Sequence, residues 1–222
     1  TTTISLALTA LQVSFYGKTS HAAAAPWEGV NALDALLLTF NSMNAMRLEV
    51  TPDVRMHGII TKGGEAPNII PDFSQGRFYL RAGRRATLNK VVDRFQACAQ
   101  AGALASGCRV EILEYETSFD DMLNNLPMAE RFRDYMMNEL ESGPFEQAPS
   151  SFGSIDMGNV SHVIPAIHAL VDIANGVNLA PHTSEFERAA CTPYADLALI
   201  RAGKGLALTG LDLLQDAAFR AQ

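Results

Sequence analysis

The sequence predicts an α+β chain that begins with a ferredoxin-like βαββαβ unit, in which two helices cover one face of an antiparallel sheet. The prediction rests on an alternating apolar run, two stretches with helical spacing and the order of the elements. Leu11, Val13 and Phe15 alternate with polar neighbours, which is typical of a half-buried strand. From 28 to 47, apolar residues recur at helical spacing, and Thr51-Pro52 ends this helix.

Three further strands and a second helix complete this unit. Residues 54–61 are predicted as a strand that ends at Gly63-Gly64, and residues 76–82 as the next strand. Thr87 is expected to cap the second helix, because a threonine oxygen can accept a hydrogen bond from a free backbone N–H of the first turn. RVEILEY, residues 109–115, is the last strand, so the unit ends near residue 117.

The rest of the chain, 118–222, follows a different pattern. The predicted elements are a helix opened by Pro127, a Gly/Pro/Ser-rich loop at 142–154, a strand at 165–173 and a long helix opened by Thr192-Pro193. One strand and two helices leave little sheet to cover. We therefore expect this part to belong to a larger α/β structure.

Composition excludes several classes of function. The 222 residues are 48% hydrophobic and 18% charged, which is typical of a globular protein. The net charge of -7 argues against nucleic acid or an anionic membrane surface as partner, and no apolar run has the length of a membrane span. Three cysteines without metal-ligand spacing, and a start without a signal-peptide pattern, predict free, mostly buried thiols in a cytoplasmic protein.

Two histidines in loops are candidates for chemistry. His21 follows the first strand, and its alanine neighbours would allow a ligand to approach, so that its imidazole could polarise a carbonyl. His182 precedes the last helix, and neutral imidazole is the commonest nitrogen ligand of zinc. For each, a solvated surface histidine is the alternative. The chain has no HxxxH, HExxH or CxxC pair to support a metal site.

Three further features could contact a ligand. Arg81 ends a predicted strand, and its guanidinium could grip a carboxylate with two hydrogen bonds, although basic residues usually form a solvated face. Residues 151–161 are rich in small polar side chains, which fits either an ordinary turn or a loop that offers N–H and hydroxyl groups. His57 alternates within a strand and could face a site on the sheet surface.

Five separated stretches together resemble the M20 family of metallo-amidohydrolases and peptidases, in particular its aminobenzoyl-glutamate hydrolase and β-alanyl-lysine dipeptidase branch. They are GKTSHAAAAPWEGVNALDA, GGEAPNIIP, LRA, SFGSIDMGNVS and PHTSEF. In that family, a βαββαβ lid and dimerisation domain is inserted into a catalytic domain that binds two metal ions, usually zinc. The resemblance implies that residues 10–117 are this lid, 1–9 the tail of the catalytic domain, and 118–222 its C-terminal portion.

The resemblance also implies roles for individual residues. His21 matches the lid histidine that reaches the active site of the partner protomer and polarises the scissile carbonyl. Arg81 matches the arginine that binds a substrate carboxylate, and His182 the last metal ligand. The remaining matches contact substrate: Asn68, Gly153, Ser154 and Asp156.

The implied function is metal-dependent amide hydrolysis in a homodimer, with a dipeptide or an N-acyl amino acid as substrate. In the family, the other metal ligands and the glutamate base precede the lid, so this chain alone is expected to be incomplete and inactive. The alternative is a non-catalytic dimerisation or ligand-binding module.

Overall fold

An antiparallel sheet with the strand order β2-β3-β1-β4 organises one compact unit, Ser5–Asp121 with Gly153–Gly158. The computed structural model describes residues 2–140 and 153–221. The elements of this unit follow the order β-α-β-β-α-β, so the predicted ferredoxin-like fold is confirmed. They are β1 Ala7–Tyr16, α1 Ala32–Ala45, β2 Arg55–Lys62, β3 Phe73–Ala82, α2 Arg85–Ser106 and β4 Arg109–Glu114.

The core lies between the sheet and the two helices. Leu11, Val13 and Phe15 on β1 are fully buried, as their alternation predicts. Phe78 pairs with Leu11 across β1 and β3, and its ring lies 4.7 Å from that of Phe95 on α2. Burying such a side chain contributes about 1.5–3 kcal/mol, so these contacts fix the helices on one face of the sheet.

The two helices approach to backbone contact at Gly102 of α2. A Cβ atom there would lie 2.5 Å from the carbonyl oxygen of Ala35 and 2.8 Å from Oγ1 of Thr39, both on α1. The Thr39 hydroxyl is buried and donates to the same Ala35 oxygen at 2.8 Å. Only glycine therefore fits at this crossing.

Two predicted boundaries are wrong. β1 begins at Ala7, four residues before the predicted Leu11. α2 begins at Arg85, so Thr87 lies inside the helix and does not cap it. The backbone N–H of Arg85 donates instead to Oδ1 of Asp121 at 2.7 Å, which is a cap from a distant part of the chain that local sequence does not reveal.

The second unit comprises Thr1–Ile4, Met122–Phe152 and Asn159–Gln222. The predicted helix at Pro127 is α3, and Thr192 caps α6 through Oγ1, which accepts from the backbone of Ala195 at 3.2 Å. Met157–Ser161, α4, follows residue 156. The other elements are α3 Leu126–Asp134, a π-helical turn Tyr135–Glu139, α5 Ser184–Ala190, α6 Pro193–Gln215 and α7 Ala217–Arg220.

The predicted strand at 165–173 is wrong. Only Ala166 pairs, through a single bridge with Asn124, so the run has no strand to extend along. Most of the predicted loop at 142–154 lies outside the described residues.

The cysteines and the helices bear on two further predictions. All three cysteines are free, but Cys191 is exposed and the other two are only half-buried, so the prediction of mostly buried thiols is wrong. A search of the helices at 2–140 and 153–221 finds none that is both long and apolar enough to cross a bilayer.

Asp53 ties the turn before β2 to the end of β3. Its Oδ2 accepts from the backbone N–H of Gly83 at 2.7 Å. The hydroxyl of Thr51 and then the Gly83 amide stabilise the carboxylate, and they lower the pKa of Asp53 below its ordinary 3.8. Folding lowers this pKa, so the stabilisation is present above pH 3.8 and is lost as the pH falls through the lowered value.

Replacing Gly102 by alanine should destabilise the sheet unit by about 1–3 kcal/mol, because the added methyl forces α1 and α2 apart. The matched control is Gly203→Ala in α6, where an added Cβ meets no atom within 4 Å. That change should stabilise by about 0.5–1 kcal/mol through helix propensity. Urea denaturation measures both, and equal stabilisation by the two variants would contradict the packing described here.

The variant Asp53→Asn should lower the free energy of unfolding at pH 7 by about 1 kcal/mol, since a neutral amide accepts weaker hydrogen bonds than a carboxylate. The difference from the parent protein should shrink as the pH falls below 3.8. Urea denaturation across pH 2.5–7 is the measurement, with Asp93→Asn on the exposed side of α2 as control. A difference that is constant with pH would rule out the ionic origin.

Candidate functional site

The loop after β1 holds His21 in one tautomer. The side chain is exposed, and its Nδ1 accepts from the backbone N–H groups of Ala23 at 3.2 Å and Ala24 at 3.1 Å. A ring nitrogen that accepts carries no proton, so the proton of the neutral ring is on Nε2. The exposed imidazole therefore offers Nε2–H as a donor.

Close backbone contacts give this loop its shape. Lys18 and Val30 exchange two backbone hydrogen bonds of 2.9 Å, which bring the ends of the loop together. A Cβ at Gly17 would lie 2.0 Å from the Val30 oxygen, so glycine is required there. The small alanines at 22–25 then turn the chain into the 3₁₀ turn Pro26–Glu28.

The same loop brings Asn68 beside His21. The backbone N–H of Ala22 donates to the Asn68 oxygen at 3.0 Å, and that of Ile70 donates to the Ser20 oxygen at 2.9 Å. His21 and Ile69 form a bridge between these bonds. Two of the residues predicted to contact substrate are thus adjacent, and both are exposed.

A second cluster forms around Arg81 on β3. Its Nη1 donates to Oγ of Ser154 at 3.3 Å. The segment that carries Ser154 is held against the start of β1, where Leu6 N–H donates to the Gly153 oxygen at 2.9 Å. Three predicted residues are thereby brought together, whereas Asp156 lies exposed in the turn before α4.

Sequence reasoning missed the aromatic and acidic neighbours of Arg81. The Arg81 guanidinium carbon lies 5.6 Å from the ring centroid of Tyr79, and the Tyr79 hydroxyl donates to both oxygens of Glu116 at 2.8 and 2.7 Å. Tyr115 stacks on Tyr79 with centroids 6.3 Å apart. Tyr79 is two residues before Arg81 on one strand, so the strand period alone places both on the same face.

The Tyr79 hydroxyl remains protonated over the physiological range. The hydrogen bond to Glu116, assisted by burial, raises the pKa of Tyr79 to about 12. The hydroxyl is therefore a permanent donor that holds the Glu116 carboxylate in place.

The two clusters lie at opposite ends of the sheet. Arg81 pairs with Leu8 at the start of β1, whereas Tyr16 at its end pairs with Phe73, and the His21 loop continues beyond that pair. At about 3.3 Å per residue, the stretch from Leu8 to Tyr16 spans roughly 27 Å. His21 and Arg81 of one chain are therefore too far apart to contact the same dipeptide.

His182 lies in the second unit with strained backbone. It is exposed and has φ 64°, a left-handed conformation that costs a residue with a Cβ about 1–2 kcal/mol. Thr183 follows it, donates to the Ala180 oxygen at 2.8 Å and caps α5. Among the residues at 2–140 and 153–221, no group of three His, Cys, Asp or Glu side chains could hold a metal ion.

Comparisons with known proteins agree with this fold. The M20 peptidase dimerisation domain matches residues 7–106. Human Xaa-Arg dipeptidase is 40% identical over 91% of the chain and 46% of its own length, and one of the subunits of the Escherichia coli p-aminobenzoyl-glutamate hydrolase is 28% identical over 63% and 26%. A solved structure titled a putative aminohydrolase from methicillin-resistant Staphylococcus aureus is 15% identical, with TM-score 0.68 over 94% of this chain and 53% of that one.

The chain spans about half the length of the human relative, or 46%. The matched dimerisation domain coincides with the sheet unit through α2, and the alignment with the dipeptidase extends well beyond it into the second unit. On this sequence and fold similarity, the chain belongs to the M20 family of peptidases and amidohydrolases.

Proposed function

We propose that the complete protein hydrolyses an amide bond in a dipeptide or an N-acyl amino acid. The names of the relatives support this class: Xaa-Arg is an amide of arginine, and p-aminobenzoyl-glutamate is an amide of glutamate. In both, the amine side of the amide is an amino acid with its own carboxylate. Such a substrate needs a group that binds the carboxylate and another that polarises the carbonyl.

Arg81 is the proposed carboxylate-binding group. Its guanidinium is planar and presents paired N–H donors that match the two oxygens of a carboxylate. Its place at the end of β3 is fixed by the sheet register and by Ser154. Gly153 and Ser154 line the same pocket, and Asp156 is its proposed acidic member.

His21 is the proposed donor to the scissile carbonyl, and its tautomer is the observation that carries the proposal. Because backbone amides occupy Nδ1, Nε2–H remains for the oxygen on which negative charge develops during attack. A donor of this kind accounts for about 10²–10³ in rate in other hydrolases. Asn68, adjacent to His21, is proposed to bind the same substrate.

We propose that two chains form each active site. The distance between the His21 and Arg81 clusters prevents one chain from placing both groups on one small substrate. A homodimer through the dimerisation domain would let His21 of one protomer act at the site that contains Arg81 of its partner.

M20 peptidases generally use divalent metal ions, and we propose zinc for the complete enzyme. A zinc site needs at least three protein ligands, so the described residues do not by themselves form one. The proposed share of this chain is the imidazole of His182. Bound zinc would polarise the scissile carbonyl as a Lewis acid.

The proposed division of the chain follows from this assignment. Residues 10–117 are the lid and dimerisation domain, and residues 1–9 and 118–222 are parts of the catalytic domain. A cytoplasmic location belongs to the same proposal, as does the inactivity of the chain in the absence of the missing ligands.

In the complete enzyme, His21→Ala should lower kcat about 10²–10³-fold and leave the metal content unchanged, because it removes a donor to the carbonyl. His182→Ala should strip metal first. Peptide hydrolysis and metal analysis of the purified variants distinguish the roles, with Lys18→Ala in the same loop as control. Metal loss in His21→Ala would refute its assignment, and absence of hydrolysis by the parent enzyme would favour a non-catalytic module.

Mixing two inactive variants should restore activity. Random exchange of protomers between His21→Ala and Arg81→Ala makes half of the dimers mixed, and each mixed dimer has one site with both residues intact. We therefore expect about one quarter of the parent activity. Protomer exchange confirmed by mass spectrometry without recovered hydrolysis would show that both residues act within one protomer.

A further inference from the structure

The face of the sheet turned away from α1 and α2 carries an acidic group close to Arg81. We call this face, with Arg77, Tyr79 and Arg81 of β3 and the following Tyr115 and Glu116, the open face. Ala10 is opposite Tyr79 in the sheet and accepts from the Tyr115 N–H at 3.2 Å. It is fully buried, so the stacked tyrosines form a flat apolar surface above it.

The Glu116 carboxylate is oriented but not neutralised. Its two oxygens accept from one hydroxyl, that of Tyr79, and the residue is exposed. Within the part of the chain that the structure describes, neither a lysine nor an arginine forms an ion pair with it. A carboxylate oxygen has two lone pairs, so Glu116 can accept further hydrogen bonds from a ligand.

One tyrosine ring separates this carboxylate from the Arg81 guanidinium. The guanidinium carbon lies 5.6 Å from the centre of the Tyr79 ring, whose hydroxyl contacts Glu116. A free lysine or arginine carries a carboxylate at one end, a cation at the other and a flexible alkyl chain between them. Its alkyl part would lie on the ring, where a cation also gains from the π-electrons.

We propose that Glu116 binds the cationic side chain of the substrate's C-terminal residue, whose carboxylate is bound by Arg81. The inference rests on the proposed function and narrows its substrate class to dipeptides and N-acyl amino acids that end in lysine or arginine. An acidic terminal residue would instead meet the Glu116 charge and be disfavoured.

The neighbouring basic groups do not cancel this charge. Arg77 donates to Gln12 Oε1 at 3.0 Å, and its guanidinium lies 4.9 Å from the ring centre of Tyr115. His57 packs its edge against Tyr79, at 5.8 Å between ring centres. Burial, then Arg81 and Arg47, lower the pKa of His57, so this imidazole is neutral at pH 7.

The test compares the hydrolysis of alanyl-lysine and alanyl-norleucine by the complete enzyme, since the two peptides differ mainly in the terminal ammonium. Glu116→Gln should raise KM for alanyl-lysine roughly five- to tenfold, as expected for a partly exposed charge pair. It should leave KM for alanyl-norleucine within about twofold. The matched control is Glu114→Gln, an exposed glutamate that accepts from Ser118 at 3.0 Å and should change neither constant.

Two further variants keep the test decisive if Glu116→Gln is unstable. Tyr79→Phe keeps the ring and removes the hydroxyl that holds Glu116, so it should weaken binding of alanyl-lysine alone. Glu116→Lys should shift the preference towards alanyl-glutamate. Equal effects on both neutral and basic substrates, or no effect on either, would overturn the role of Glu116 while hydrolysis by the parent enzyme stands. If the parent enzyme cleaves none of the peptides, the proposed function itself is refuted, and this inference with it.

Discussion

The antiparallel pairing of β1 with β3 determines where each candidate residue of the sheet unit lies. Side chains alternate between the two faces of a strand, so a slip of one residue would turn Arg81 and Tyr79 into the core and Phe78 and Leu80 into solvent. The core prevents such a slip, because Phe78 and Leu80 are fully buried beneath the helices. Apolar packing on one face therefore fixes the register of the polar face.

The same sheet separates two kinds of chemistry. At one end, a backbone-held imidazole offers a neutral donor beside Asn68. At the other, an arginine, two tyrosines and a glutamate provide charged groups and an apolar surface. A donor to the carbonyl and a binding site for the substrate's terminus are needed on the same molecule but not on the same protomer, so their separation is compatible with a site built from two chains.

The fold was largely predictable from the sequence because its signals are local. The alternation at Leu11, Val13 and Phe15 and the helical spacing after residue 28 depend only on neighbours in the chain. The start of α2 was not predictable, since Asp121 caps Arg85 from 36 residues away. The run at 165–173 has apolar residues suited to a strand, but a strand also needs a partner, and only Asn124 supplies one bridge.

The candidate site was predictable only where a motif marks it. The stretches with His21, Arg81 and Ser154 are distinctive, whereas Tyr115 and Glu116 gain their meaning from long-range contacts with Tyr79. The roles of His21, Asn68, Arg81, Gly153, Ser154, Asp156 and His182 remain predictions.

The left-handed backbone at His182 sets thermodynamic stability against chemistry at one position. Glycine adopts φ 64° without the steric cost that a Cβ brings, and asparagine tolerates it better than most residues. A directed-evolution campaign that selected only for heat resistance would thus enrich glycine there and discard the imidazole. Thermostabilised libraries of this protein should hold position 182 constant.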